Sequence, residues 1–233
     1  MTKTTFILRG IGGSTAHGLA TAESDIDMHG VFSYPTEAFW HIRKPPMSIV
    51  KTSPDESYHE LEKFLALAGK SNPTVLELLW LDDYTDMEPD WGQHLLDIRS
   101  SFLSAERVRG AYLGYATQQF KKLEESDRKA QSDSTGQDPY FESSTKRRTR
   151  KHAKHLIRLL EAGIRLYTTG ELQVRVEDPD KYHAIMDEWP LGEVAHYATE
   201  QIEKFNTLTS VLPARADWNI IERYLHDYRA AHC

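Results

Sequence analysis

Two β-prone runs on either side of a glycine-rich turn constrain this chain more than any other feature. Thr4-Thr5-Phe6-Ile7-Leu8 is stopped by Gly10, Gly12 and Gly13, and from Asp25 to Ser33 the apolar Ile26, Met28 and Val31-Phe32 alternate with polar residues. The pattern predicts strand, turn, strand. At Gly13-Ser14 the missing side chains let backbone N–H groups approach an anion, and the Ser14 hydroxyl can donate to a phosphate oxygen. Eleven residues after Ser14, Asp25 and Asp27 stand two apart, so on one strand they share a face with Cβ atoms roughly 7 Å apart. Carboxylates about 5 Å apart repel by about 3 kcal/mol at an effective dielectric near 20, so such a pair in a cleft calls for a cation. Hard oxygen donors facing a phosphate turn favour Mg²⁺ or Mn²⁺. Alone, Gly-Gly-Ser is usually only a turn and Asp-x-Asp a solvated strand face. Their order makes the pair informative.

The remaining pattern predicts an α+β chain. A third β-prone run, Met47 to Lys51, follows Pro45-Pro46, and extended structure resumes near Tyr58. Leu61, Phe64, Leu65 and Ala68 then fall on one helical face, and Asn72-Pro73 supplies a cap and a first-turn proline for the next helix. Beyond Ser100 the signal is helical. Ser104 caps a run carrying Val108, Ala111, Tyr112, Tyr115, Phe120 and Leu123, and Thr145–Thr169 is the longest periodic element, ending at Gly170. Two further helices are expected at 191–211 and 217–230. Residues 124–144, rich in Ser, Asp, Gln and Gly, read as a mobile loop. The expected organisation is an N-terminal domain over 1–100, with a mixed sheet and flanking helices, and a C-terminal helical bundle over 101–233.

Charge and composition narrow the partners. With 28 Lys plus Arg against 35 Asp plus Glu the formal charge is -7, which does not favour a polyanion overall. The local exception is 146–158, where Lys146, Arg147, Arg148, Arg150, Lys151, Lys154 and Arg158 occur with no acid. Lys151, His155 and Arg158 form one helical stripe opposite Ala153, Leu156, Ile157 and Leu160. That stripe is either a solvated face or, if it borders the cleft facing Asp25, a grip for triphosphate or an RNA backbone. The single cysteine, Cys233, suits a reducing compartment, and no apolar run approaches the roughly 20 residues of a membrane helix. A cytoplasmic protein is expected.

The ordered motifs resemble the nucleotidyltransferase superfamily that includes DNA polymerase β, kanamycin nucleotidyltransferase and the CCA-adding enzymes. Gly13-Ser14-Thr15-Ala16-His17-Gly18-Leu19-Ala20-Thr21, Ser24-Asp25-Ile26-Asp27 and Gly30-Val31-Phe32 are similar to the RNA-ligase-associated nucleotidyltransferases of bacteria and phages. So are Leu61-Glu62-Lys63-Phe64, Asn72 to Leu79, Lys151 to Leu160 and Thr169-Gly170-Glu171-Leu172. The first strand begins near residue 5, leaving no room for the helix that commonly precedes it in relatives.

The resemblance implies a two-metal transfer of a nucleoside monophosphate from an NTP to an acceptor hydroxyl, with pyrophosphate leaving. Asp25 and Asp27 would bridge the metals, and Gly13, Ser14, Lys151, His155 and Arg158 would bind the nucleotide. A third carboxylate is Glu60 by its place before the Leu-x-Lys-Phe helix, with Asp55 as runner-up and an ordinary surface carboxylate as the alternative. His17 stands where the family would place an aromatic and is read as a packing or base-adjacent residue. The implied acceptor is an RNA end such as that of tRNA. Two alternatives stay open: the same chemistry on a protein or small molecule, and a non-catalytic nucleotide- or RNA-binding module. Donor base and oligomeric state are not read from the sequence.

Overall fold

A computed structural model describes residues 4–133 and 139–233, with side chains outside 126–127 and 129–148. Five strands form one mixed sheet: β1 (Thr5–Ile11), β2 (Asp27–Ser33), β3 (Ser48–Thr52), β4 (Asp55–Glu60) and β5 (Asp86–Met87), in the order β3-β4-β2-β1-β5. β1 runs antiparallel to β2, with Ile11 opposite Met28, which brings the glycine turn to the end of the sheet where β2 begins. β4 runs parallel to β2, with Asp27 in register with Asp55 and Phe32 with Glu60.

Helices flank the sheet and make up the C-terminal region. α1 (Gly13–Ala16) is the single turn after β1, and α2 (Leu61–Ala68) buries Leu61, Phe64, Leu65 and Ala68, the face expected from their spacing. α3 (Pro73–Leu78) is capped as its sequence predicts, the Asn72 side chain accepting from the Val75 N–H at 3.2 Å. α4 (Pro89–Asp97) was not anticipated. α5 (Ala105–Asp133) and α6 (Pro139–Thr169) pack along one another, followed by α7 (Pro179–Asp187), α8 (Leu191–Thr207) and α9 (Trp218–Ala231). Gly170 ends α6 at φ +79°, a left-handed conformation in which a Cβ is strained. No helix among the described residues is long and apolar enough to cross a membrane.

The stretch 124–144 departs from the loop reading. It is helical through Asp133 and again from Pro139, and 134–138 lie outside the described residues. Lys121, Lys122, Glu124, Glu125 and Arg128 are good helix formers that continue the α5 pattern, and their propensity outweighs that of the interspersed Ser and Asp.

One core runs from Ile7 and Leu8 through α2, α3 and α5 to Ile221, Tyr224 and Tyr228 of α9, so it is continuous across residue 100. A second joins Leu19 to α5, α6, α7 and α8. α9 is anchored to the sheet by polar bonds: Arg229 donates to Glu60 Oε1 and to Ser33 Oγ, each at 2.6 Å, and Tyr224 donates to the Trp91 carbonyl at 2.7 Å. Glu60 is fully buried and its Oε2 also caps α2, accepting from the Glu62 N–H at 2.8 Å. Arg229→Met leaves that carboxylate buried without its cation and is expected to cost about 3–5 kcal/mol in denaturant unfolding. Adding Glu60→Gln to it removes the stranded charge and should recover part of the loss; no recovery would contradict this role for the pair.

Candidate active site

The glycine turn is clamped onto the start of β2. Gly12 N–H donates to the Asp27 carbonyl at 2.8 Å, and Gly13 adopts φ +56° with its α-carbon so close to the Asp27 carboxylate that a Cβ would lie 1.7 Å from Oδ2. Only glycine fits there. The first backbone bond of α1 is Ala16 N–H to Gly12 O at 3.2 Å, and among the described residues the N–H groups of Gly13, Ser14 and Thr15 meet no backbone acceptor. Like those of any first helical turn, they have no intrahelical partner, and Gly13 and Ser14 border a cleft.

These residues form one wall of a cleft of about 790 Å³, within the size range of nucleotide-scale ligand sites. Gly13, Ser14, Asp25 and Asp27 line it together with Lys151, His155 and Arg158 of α6, so seven of the eight expected site residues share one cavity. Asp27 opens β2, whereas Asp25 precedes the strand and is exposed, so the two do not sit on one strand as the spacing suggests. The eighth residue is elsewhere. Glu60 is in register with Phe32, five positions and roughly 16 Å along β4 from the level of Asp27. Burial, partly offset by Arg229, holds its carboxyl above the usual range, and it serves as cap and ion-pair partner. The carboxylate beside Asp27 is Asp55, its direct register partner. Strand direction decided this: because β4 runs parallel to β2, its first residue and not its last reaches the carboxylate end.

Electrostatics set the two sides of the cleft against each other. Burial, then Asp55 and Asp25, push the Asp27 carboxyl above the usual range against the pull of His29 and His17. Across the cleft, burial, then Lys151 and Arg158, push the Lys154 ammonium down. Crowded carboxylates face crowded ammonium groups. Arg158 is not free to serve a ligand alone, because it donates to Glu77 Oε1 at 2.6 Å, and the other oxygen of Glu77 meets His17 Nε2 at 3.1 Å. Burial would raise Glu77, yet Arg158 and His17 hold it well below the usual carboxylate range. Burial and Arg158 together push His155 down to about 4, so it is neutral at pH 7. The side chains of Lys146, Arg147 and Arg148 lie outside the described ones; Arg150 donates to the carbonyls of Ile185 and Trp189.

Several cleft residues were not singled out from sequence. Glu77 had one signal, an acid inside the otherwise apolar Val75-Leu76-Glu77-Leu78-Leu79. Lys154 belongs to the basic run, on the cleft edge of the stripe. His183, Met186 and Asp187 come from α7, an element without an anticipated boundary, and no local pattern points to them. His17 is buried, lines the cleft and meets Glu77.

Comparison with known proteins follows the same lines. The family model for the RNA repair pathway DNA polymerase beta family matches residues 2–179. Among solved structures the chain is similar to a nucleotidyltransferase-like protein from Exiguobacterium sibiricum, at 14% identity and a TM-score of 0.32, with 98% of this chain and 74% of that one covered. Nothing among curated proteins matches.

The depressed imidazole makes a pH prediction. Between about 4 and the ordinary 6.5 the unfolded chain binds a proton at His155 that the folded chain does not, so stability falls as pH falls through that window. Glu77, also lowered on folding, extends the loss into more acid solution. His155→Gln should flatten the pH dependence of unfolding free energy by up to about 1.4 kcal/mol per pH unit; an unchanged slope between pH 5 and 6 would show that the ring is already charged.

Proposed function

The chain belongs to the RNA repair pathway DNA polymerase beta family, a polymerase beta-type nucleotidyltransferase, and on that footing we propose that it moves a nucleoside monophosphate from an NTP to the hydroxyl of an RNA end, releasing pyrophosphate. One observation supports the reading above others: a single cleft places Asp25 and Asp27 and the Gly13-Ser14 turn opposite Lys151 and Lys154.

The donor set suits Mg²⁺ or Mn²⁺. Asp25, Asp27 and Asp55 are hard oxygen ligands, and the crowding that raises Asp27 is relieved by a divalent cation. No three His, Cys, Asp or Glu among the described residues are gathered closely enough to hold a metal by themselves. Mg²⁺ usually takes one or two carboxylates and completes its shell with water and substrate phosphates, so no such cage is needed. When bound, the metal lowers the pKa of the attacking hydroxyl and neutralises phosphate charge.

The chain's own residues supply the rest. The open N–H groups of Gly13 to Thr15 and the Ser14 hydroxyl hold phosphate oxygens at the turn. Lys151 and Lys154 balance the remaining triphosphate charge from the other wall, each ammonium acting as a point charge. Arg158 stays on Glu77 and holds α6 at the distance the cleft requires. Asp55, on the β4 side of Asp27, accepts the proton leaving the acceptor hydroxyl or passes it to solvent.

With α-labelled NTPs, Mg²⁺ and an RNA pool, the wild type should transfer label to RNA. Asp27→Ala, Asp25→Ala and Asp55→Ala should each reduce transfer by about a hundredfold or more, the scale of removing one charge-stabilising group from a preorganised site. Glu60→Gln, where it folds, should stay near wild type. Equal labelling by wild type and Asp27→Ala would overturn the reading, as would Mg²⁺-indifferent NTP binding with no pyrophosphate release.

A further inference from the structure

A smaller cavity, about 140 Å³, opens beside the cleft along the same face of the sheet. β2 and β4 are parallel, with Asp27 opposite Asp55, His29 opposite Ser57 and Val31 opposite His59. Alternate strand residues share a face, so His29, Ser57 and His59 lie on the face that carries Asp27, and His29 is one pleat repeat, roughly 6.6 Å, from Asp27. The far wall comes from α2 and α3. His29 and Thr74 line both cavities, which therefore adjoin at these two residues.

The lining has a definite chemistry. Its polar side chains are those of His29, Ser57, His59, Asn72 and Thr74, over an apolar base that includes Phe64 and Leu78, and none of its residues is Asp, Glu, Lys or Arg. Burial, then Lys63 and His29, push the His59 imidazole below its usual range. Its Nδ1 meets Ser48 Oγ at 2.8 Å, which leaves Nε2 for a ligand. The side chains of His29, Ser57 and Thr74 make no hydrogen bond to a described residue. With no Lys or Arg in the lining to pair with a phosphate and no Asp or Glu to pair with an ammonium group, either would be desolvated here at a cost. A compact neutral group carrying several hydroxyls would satisfy the rim and cover the base. The space is less than a fifth of the cleft's, which suits a compact group such as one sugar ring.

Resting on the reading of the cleft as a nucleotidyltransferase site, we propose that this side cavity is the acceptor subsite and takes a neutral sugar ring with vicinal hydroxyls, one of which then lies beside Asp27. The same chemistry is offered by the terminal ribose of an RNA and by a free sugar. A protein side chain, which brings a single hydroxyl, leaves most of the rim unmet.

Histidine-ring NMR of the full chain reads the cavity without catalysis. Free ribose and the RNA dinucleotide CpA, each presenting a vicinal diol, should shift the ring signals of His59, which lines only the side cavity, assigned through His59→Gln; inorganic phosphate and a serine-containing peptide should not. Ser57→Leu, which fills the cavity from the sheet, should weaken CpA binding and raise its KM in the transfer assay by about tenfold, the worth of one or two hydrogen bonds, with NTP affinity unchanged. Ser57→Ala should give a smaller rise and guards against misfolding of the larger variant. Shifts with CpA alone assign an RNA end, and shifts with ribose alone assign a free sugar. A His59 ring that ignores both diols, or that responds to phosphate or to the serine peptide, overturns the subsite. If the ring shifts with the diols while no label is transferred, the sugar site stands and the proposed reaction falls.

Discussion

Glu77 is the residue on which the shape of the cleft depends. Its carboxylate is held between the Arg158 guanidinium at 2.6 Å and the His17 imidazole at 3.1 Å, which ties α3 to α6 and to the segment after the glycine turn. A lone carboxylate buried in that position would be prohibitively unstable, and removing one partner of such a pair is far more damaging than the pair's net contribution would suggest. The triad therefore works by excluding other arrangements. Wherever α6 packs, it must bring Arg158 to Glu77, and that places Lys151 and Lys154 on the wall opposite Asp25 and Asp27. The cost is that Arg158 is neutralised by Glu77, so the positive charge facing Asp25 and Asp27 falls to the lysines.

A second buried carboxylate does the same work at the other end of the sheet. Glu60 joins β4 and α2 to Arg229 of α9, and together the two pairs fasten both the middle and the end of the helical region to the N-terminal half. The continuous core that links Ile7 to Tyr228 is the apolar counterpart of those two bonds. A net charge of -7 is thus compatible with a cleft that carries a basic wall. Some acids are neutralised internally by arginine, others are gathered around Asp27, and the lysines are concentrated on the facing wall.

Much of this was legible because local chemistry and local structure coincide. The glycine turn, Asp27 at a strand start, the α2 stripe, the Asn72 cap and the Gly170 terminus each rest on contacts within a few residues, and short-range pattern is sufficient for those. The α6 stripe was legible as a stripe, since helical spacing alone puts Lys151, His155 and Arg158 on one side. The reading failed where a residue's role depends on what lies across from it. Glu60 and Asp55 are both acids on one strand, and which of them meets Asp27 is a question of strand direction and register. The charge-rich end of α5 looked like a loop because Ser and Asp were weighed above the helix formers beside them. His183 and Met186 reach the cleft from α7 without any local signature.

The amino-acid sequence by itself determined the strand–turn–strand start, the helix faces and the chemical types available: hard carboxylates, a phosphate-ready turn and a basic helix. Backbone propensity, capping and apolar spacing act over one or two turns, and they are written wherever the residues are. Only the tertiary structure decided that Asp55 stands beside Asp27, that Arg158 belongs to Glu77, that His155 is neutral, and that a side cavity lined by no Asp, Glu, Lys or Arg adjoins the carboxylates. Each of those is a property of distance between segments remote along the chain. Coulomb energy, desolvation and cavity shape depend on that distance, which is set by how the sheet and the helices pack together.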